Sequence, residues 1–239
     1  DGKRVALKFL FNSWGGKYPP YDKDNLIGMY MAEILEAQLI DHDFVLEGGA
    51  IDMNGAGRLI TTKDCLLNPN RNPHFNPKEI EEKIKDYFNI QNILWLDEGI
   101  EGDDTDSHID ELARFVSETR IIIMDECDVS SVNYERLEKN ISTLESYRES
   151  MRDLEIVKIP MPIISSNKEM NHLPASYANF YIANEIVFIP TFDCREDDQA
   201  LDILRECFKS RRLVPVNSRS FVEGLGGIHC LTQQIPKIN

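Results

Sequence analysis

A unit of helix, strand, polar loop and hairpin returns about four times along this chain, and few architectures accommodate that order. Residues 3–13 alternate as a strand, which breaks at Trp14-Gly15-Gly16-Lys17-Tyr18-Pro19-Pro20. Apolar residues at 26, 27, 29, 30, 34 and 35 predict a helix over 24–38 with Asp24 as its cap. A short strand over 44–46 follows and ends in Glu47-Gly48-Gly49, then a hairpin, 50–53 and 58–62, turns through Asn54-Gly55-Ala56-Gly57. In the second pass, Asn76 caps a helix over 77–88 that has Pro77 at its first position. A strand over 93–96, a polar loop reaching His108-Ile109-Asp110, and a hairpin of 112–116 and 121–124 complete it. The third pass has a helix over 133–150, a strand over 155–161, a loop to Ser176-Tyr177-Ala178-Asn179 and a hairpin of 180–182 and 186–189. The fourth has a helix over 198–209, a strand over 212–216 and a loop to Gly226-Gly227-Ile228-His229-Cys230.

Each unit carries one polar residue at its loop end: Glu47, His108, Asn179 and Cys230, separated by 61, 71 and 51 residues. Repeats of this size stacked around an axis bring such loop ends together. A cysteine beside a histidine is an activated nucleophile, because the imidazole takes the thiol proton or steadies the thiolate. His108 and Asp110, two apart, share a face if that segment is extended. Asp110 and Glu47 then face a common space as two carboxylates, which need a cation between them unless one is pushed neutral. A planar guanidinium satisfies them with five donors in a fork. Each residue alone also has a bland reading. Cys230 by itself is more often a small buried apolar residue, His108 a surface histidine and Glu47 a solvated turn residue. The H-x-D pair has no third ligand at a recognised metal spacing.

Charge and cysteine usage narrow the classes. The net charge of −15 argues against nucleic acid or an anionic membrane as the main partner and is permissive for a cationic small molecule, though ordinary solubility also accounts for it. No run of eighteen apolar residues occurs. Five cysteines, with no C-x-x-C, fit neither a disulfide framework nor a zinc finger, so reduced thiols in a cytoplasmic protein are expected. A homo-oligomer is compatible with the sequence. The chain opens at Asp1-Gly2-Lys3-Arg4 without Met, directly before an apolar alternation, so sequence N-terminal to it is expected to be missing; no signal peptide is visible.

Five stretches taken together resemble the agmatine deiminases, within the bacterial-type peptidylarginine deiminase family of guanidine-modifying enzymes. They are Leu46-Glu47-Gly48-Gly49-Ala50, the run from Leu66-Leu67-Asn68 to Arg71-Asn72-Pro73, Gly102 to Asp110, Ser176 to Tyr181, and Gly227 to Gln234. Phe11-Asn12-Ser13-Trp14-Gly15-Gly16 also resembles the family pattern. The resemblance spans essentially the whole chain. It implies an α/β fold, a pseudo-fivefold propeller of helix-strand-hairpin units, here a single catalytic domain over 1–239 lacking its first N-terminal blade. It implies Cys230 as nucleophile, His108 as general acid/base, and Glu47 and Asp110 as the carboxylates that grip the guanidinium. No metal or organic cofactor is required. Asp104 matches a position that helps receive the far end of the substrate, and Trp14 and Asn179 are further candidates for binding it. The loop over 98–106 holds no basic residue, which favours agmatine, ending in an ammonium, over arginine, ending in a carboxylate. The implied reaction gives N-carbamoylputrescine and ammonia.

There are departures. The family's W-x-R-D-x-G-P motif, with a further guanidinium-binding aspartate, has no match in this sequence, and Ser107 stands where a glycine often precedes the histidine. The competing readings are a bacterial peptidylarginine deiminase, a catalytically silent propeller used as a binding module, and a Cys-His amide hydrolase. A silent relative has no reason to keep Glu47, His108, Asp110 and Cys230 together.

Overall fold

The computed structural model describes residues 3–164 and 172–237. Its strands form four small sheets among those residues. In the first, β1 (Val5–Leu10) pairs in parallel with β2 (Gln38–Val45). In the second, β3 (Ile51–Met53) runs antiparallel to β4 (Arg58–Thr62), which pairs in parallel with β5 (Asn92–Leu96). The third repeats that order with β6 (Ala113–Phe115), β7 (Arg120–Asp125) and β8 (Glu155–Pro160). The fourth repeats it again with β9 (Tyr181–Ile182), β10 (Ile186–Thr191) and β11 (Arg212–Asn217). Each parallel pair needs a crossover, supplied in turn by α1 (Ile27–Ile34), α2 (Pro77–Phe88), α3 (Tyr134–Tyr147) and α4 (Glu196–Cys207).

Local chemistry accounts for the sharpest boundaries. Asn76 accepts hydrogen bonds from the backbone N–H of Lys78 (3.0 Å) and Glu79 (3.1 Å), and Glu79 Oε2 accepts from Asn76 N–H at 2.8 Å. This reciprocal cap, with Pro77 behind it, fixes the start of α2. Asn89, left-handed at φ 53°, ends it. Ile80 and Ile84 of α2 pack into a core with Phe44, Leu59, Cys65 and Ile93. A larger core gathers β4 through β10, with Leu137 and Leu144 of α3 and Ala200 and Leu204 of α4.

The first unit differs from the expected one. The helix is shorter than 24–38: a 3-10 turn, Asp24–Leu26, precedes α1, and Asp24 makes no side-chain cap. Its apolar face is not core, since Ile27, Tyr30 and Ile34 are exposed and only Ala32 of α1 is buried. The strand expected over 44–46 begins six residues earlier, at Gln38. Asp41, His42 and Asp43 hide it from a periodicity reading, while pairing with β1 imposes it. Among the described residues no helix is long and apolar enough to cross a membrane.

Candidate active site

Three 3-10 turns follow the strands and touch one another: Gly48–Ala50, Ile109–Glu111 and His229–Leu231. Glu47 is the extended residue leading into the first and His108 the residue leading into the second. Cys230 lies inside the third. Asn179 joins them, its carbonyl accepting from His229 N–H at 3.2 Å. The structure therefore brings Glu47, His108, Asp110, Asn179 and Cys230 together. The segment over 109–111 is a turn rather than extended chain. His108 and Asp110 meet nonetheless, at 4.0 Å between Nδ1 and Oδ1.

The loop before His108 is tightly held. Asp103 Oδ2 accepts from His108 N–H at 2.8 Å, and Asp106 and Ser107 both adopt left-handed φ, 62° and 73°. Ser107 stands where a glycine eases that conformation. Gly49 is needed for a different reason: a Cβ there falls 2.5 Å from His108 Nδ1 and 2.9 Å from both Asp110 carboxylate oxygens.

Asp110 is the centre of the cluster and is fully buried. His229 Nδ1 lies 2.7 Å from its Oδ2, and Cys230 Sγ lies 3.7 Å from the same oxygen. Burial alone pushes this carboxyl up. The His229 hydrogen bond and the nearby His108, His229 and Arg114 outweigh it and leave Asp110 below its ordinary value, an anion. Cys230 is exposed as a residue, yet its sulfur rests on buried groups: Asn179 Nδ2 at 3.2 Å, Glu111 Oε1 at 3.6 Å and Asp110. Desolvation of that sulfur, then Asp110 and Glu111, push the thiol far up. In this state it is a thiol, not a thiolate. No direct Cys230–His108 hydrogen bond forms; the two groups flank the Asp110 carboxylate instead.

Glu47 is engaged by an internal guanidinium. Arg71 Nε donates to Glu47 Oε1 at 2.6 Å, its Nη1 to Asp106 Oδ2 at 2.5 Å and its Nη2 to the Thr105 carbonyl at 2.8 Å. Glu47, Cys65 and His108 each bring a potential ligand atom within 4.8 Å of one another, as do Asp110, Glu111 and Cys230. Acidic clusters of this kind are common without an ion. Of the eight buried side-chain polar atoms without a partner among the described residues, four lie here: Glu47 Oε2, His108 Nε2, Asp110 Oδ1 and Glu111 Oε2. Leaving such an atom unpaired costs about 1–3 kcal/mol, so their concentration here marks a place poised for a polar ligand.

Trp14 and Asp104 stand outside that cluster. Trp14 packs edge-on against Phe11 and Tyr18, and the Tyr18 hydroxyl donates to Asp104. Lys17 Nζ reaches Asp106 Oδ1 at 2.7 Å and Asp104 Oδ1 at 3.8 Å. Asp104 opens instead on a cleft of 960 Å³ whose lining includes Asp64, Glu98, Glu101, Asp103 and Asp106. Lys63 and Arg136 are the basic residues of that lining; neither Cys230 nor Asp110 belongs to it. Sequence reasoning missed His229, Glu111 and Arg71. His229 and Glu111 are direct neighbours of residues it did select, and the doubled acid Asp110-Glu111 was the available signal.

Residues 2–236 match the family of Porphyromonas-type peptidyl-arginine deiminases. The agmatine deiminase of Enterococcus faecalis superposes with a TM-score of 0.93 at 31% identity, covering 100% of this chain and 71% of that one. A cysteine-to-serine variant of C. jejuni agmatine deiminase with substrate bound gives 0.89 at 33% identity, covering 95% and 67%. A curated protein of Legionella pneumophila strain Paris is 36% identical over 235 residues, 98% of this chain and 68% of its own length. The mixed α/β fold of small sheets is that of these structures, and the chain belongs to the Porphyromonas-type peptidyl-arginine deiminase family.

Proposed function

We propose that this chain deiminates agmatine hydrolytically, through a covalent intermediate on Cys230. The observation that carries this reading is the anionic, fully buried Asp110, with a free Oδ1, set between a thiol and an imidazole. A guanidinium is the planar cation that such an oxygen receives. Its positive charge also favours thiolate over thiol at Cys230, so the nucleophile forms as the substrate docks. The sulfur attacks the guanidinium carbon. His108 passes the thiol proton to the departing nitrogen, and ammonia leaves. His108 then takes a proton from water, which adds to the amidino-thioether carbon. The C–S bond breaks, the sulfur regains a proton, and N-carbamoylputrescine departs. Protein groups handle every charge in this scheme, so it calls for no cofactor.

The roles divide somewhat differently from the sequence-based expectation. Glu47 is paired with Arg71 and lies beside His108, which suits holding the imidazole better than gripping substrate. Asn179 supports the sulfur from within rather than lining a substrate channel. Asp104 opens on an acidic cleft that suits the far ammonium of agmatine, and Trp14 backs Tyr18, whose hydroxyl holds Asp104. The three sheets of one order and the fourth parallel pair support a single domain built as a pseudo-fivefold ring. Cysteine usage supports a cytoplasmic location, and the charge of −15 disfavours nucleic acid and membranes as partners. The test is ureido product formation from agmatine, arginine and a peptidylarginine. Turnover of agmatine that Cys230→Ala abolishes, with a covalent adduct on the Cys230 peptide, is expected. Turnover of none of the three, or turnover retained without the thiol, overturns the reading.

A further inference from the structure

We propose that Glu111 is a positioning residue for the nucleophile: held as a neutral carboxylic acid, it fixes the Asn179 amide and the Cys230 sulfur and keeps Asp110 the sole anion beside them. This rests on the deiminase reading above and assigns a role to a group that the reaction scheme leaves unused.

Glu111 follows Asp110 in the 3-10 turn and is buried, with 4% of its surface exposed. Its Oε1 accepts from Asn179 Nδ2 at 3.0 Å and lies 3.6 Å from Cys230 Sγ. The amide orientation is not arbitrary. Asn179 Oδ1 accepts from His229 N–H at 2.8 Å, so Nδ2 must face Glu111 and the sulfur. Gly227 preserves this, because a Cβ there falls 2.3 Å from Asn179 Oδ1. Asn179 Nδ2 thus faces Glu111 and Cys230 Sγ, at 3.2 Å, with the Asp110 carbonyl a longer acceptor at 3.5 Å. One carboxyl, one amide and one sulfur are thus linked, with Asp110 touching the same sulfur, and Glu111 anchors the amide.

The charge state follows from the surroundings. Asp110 on the same turn and Asp103 on the preceding loop face Glu111 as carboxylates; Cys230 and His229 come from the last turn and Arg114 from β6. Two adjacent buried carboxylates do not both ionise. Asp110 has His229 at 2.7 Å and keeps the charge. Glu111 has no cationic hydrogen-bond partner of its own, and its burial, then Asp110 and Asp103, push its carboxyl well above the ordinary range. A neutral acid here can donate a hydrogen bond to a thiolate once one forms, whereas an ionised Glu111 would oppose that thiolate.

The experiment uses Glu111→Gln and Glu111→Ala in the whole protein. Glutamine copies the neutral acid in shape and in hydrogen-bonding groups but cannot ionise. The first readout is the pH dependence of Cys230 alkylation by iodoacetamide, followed by mass on the Cys230 peptide without substrate. The midpoint in Glu111→Gln is expected to stay within about 0.3 pH unit of the parent's, because a neutral acid and an amide put the same charge beside the sulfur, whereas an ionised Glu111 would hold the parent's midpoint about one unit higher. The second readout is kcat. Glu111→Ala is expected to lower it by about tenfold with little change in KM, the worth of one ordinary hydrogen bond. Glu111→Gln is expected to recover most of that loss. An alkylation midpoint in Glu111→Gln about one pH unit or more below that of the parent overturns the proposal, whether or not Glu111→Ala folds, because Glu111 would then be ionised when the thiol titrates. The alkylation needs no turnover, so the proposal stands or falls on it even if no guanidine is deiminated.

Discussion

Gly49 tests the site at the scale of one methyl group. Its φ lies outside the left-handed region, so alanine suits the backbone, but the new Cβ would sit 2.5 Å from His108 Nδ1. Either the imidazole or Asp110 must move. Gly49→Ala is expected to cut kcat by about a hundredfold, the cost of misplacing reacting groups by an ångström. Gly48→Ala, with nothing within 4 Å of its Cβ, is the control and should leave kcat near the parent value. Arg71 tests the support behind the site. Its guanidinium is fully buried against Glu47, with Asp106 partly exposed. Arg71→Met leaves Glu47 buried and unpaired and should destabilise the fold by about 3 kcal/mol in denaturant titration, the low end for a broken buried pair. Arg71→Lys should rescue little, since one ammonium cannot span Glu47, Asp106 and the Thr105 carbonyl. Glu47, His108, Asn179 and Cys230 could be placed together from the sequence because each closes a loop at a corresponding place, and Asp110 because it lies two residues after His108. Arg71 could not, because it reaches Glu47 across 24 residues with no periodic signal. Glu111 could not, because an extended segment would turn it away from Asp110, and the chain forms a 3-10 turn instead.

Among the elements, those with local determinants were read to the residue. The start of α2 is written in Asn76, Pro77 and Glu79, and β4 follows an Asn-Gly turn. Asn76 is solvent-exposed, so its replacement isolates the cap from packing. Asn76→Ala is expected to cost about 1 kcal/mol. For a chain of this length that is a fall of about 2–4 °C in Tm by calorimetry. An unchanged Tm would mean that the packing of Ile80 and Ile84 fixes the helix without its cap. The elements misread were α1 and β2. Period-3.6 apolar spacing continues past Ile34, yet β2 takes over at Gln38 because β1 offers it a parallel partner about thirty residues away. Local propensity cannot register a partner at that distance.

At the scale of the whole molecule, the repeat was legible and its unequal stability was not. The second, third and fourth units share continuous cores, whereas α1 buries Ala32 alone and turns Ile27, Tyr30 and Ile34 outward. By contrast, α3 buries Leu137, Asn140, Ile141 and Leu144. Asn140 also ties α3 to the loop after β5, accepting from Asp97 N–H at 2.8 Å and donating to the Glu98 carbonyl at 2.7 Å. Buried contact is what separates local opening from global unfolding, so the free energy of opening should rise from the first unit to the third. Hydrogen exchange read by mass spectrometry on this chain should show α1 and β1 exchanging well before α3 and β7. The site draws on both regions, since Glu47 follows β2 while Asp110 follows β5. Opening of the first unit should therefore deprive His108 of its neighbour Glu47 while leaving Asp110, Asn179 and Cys230 in place. The expected sign of this is loss of kcat in denaturant before the near-ultraviolet signal of the main core changes. If activity and α3 protection are lost at one denaturant concentration, the units unfold as a single body and the exposed face of α1 carries no energetic weakness.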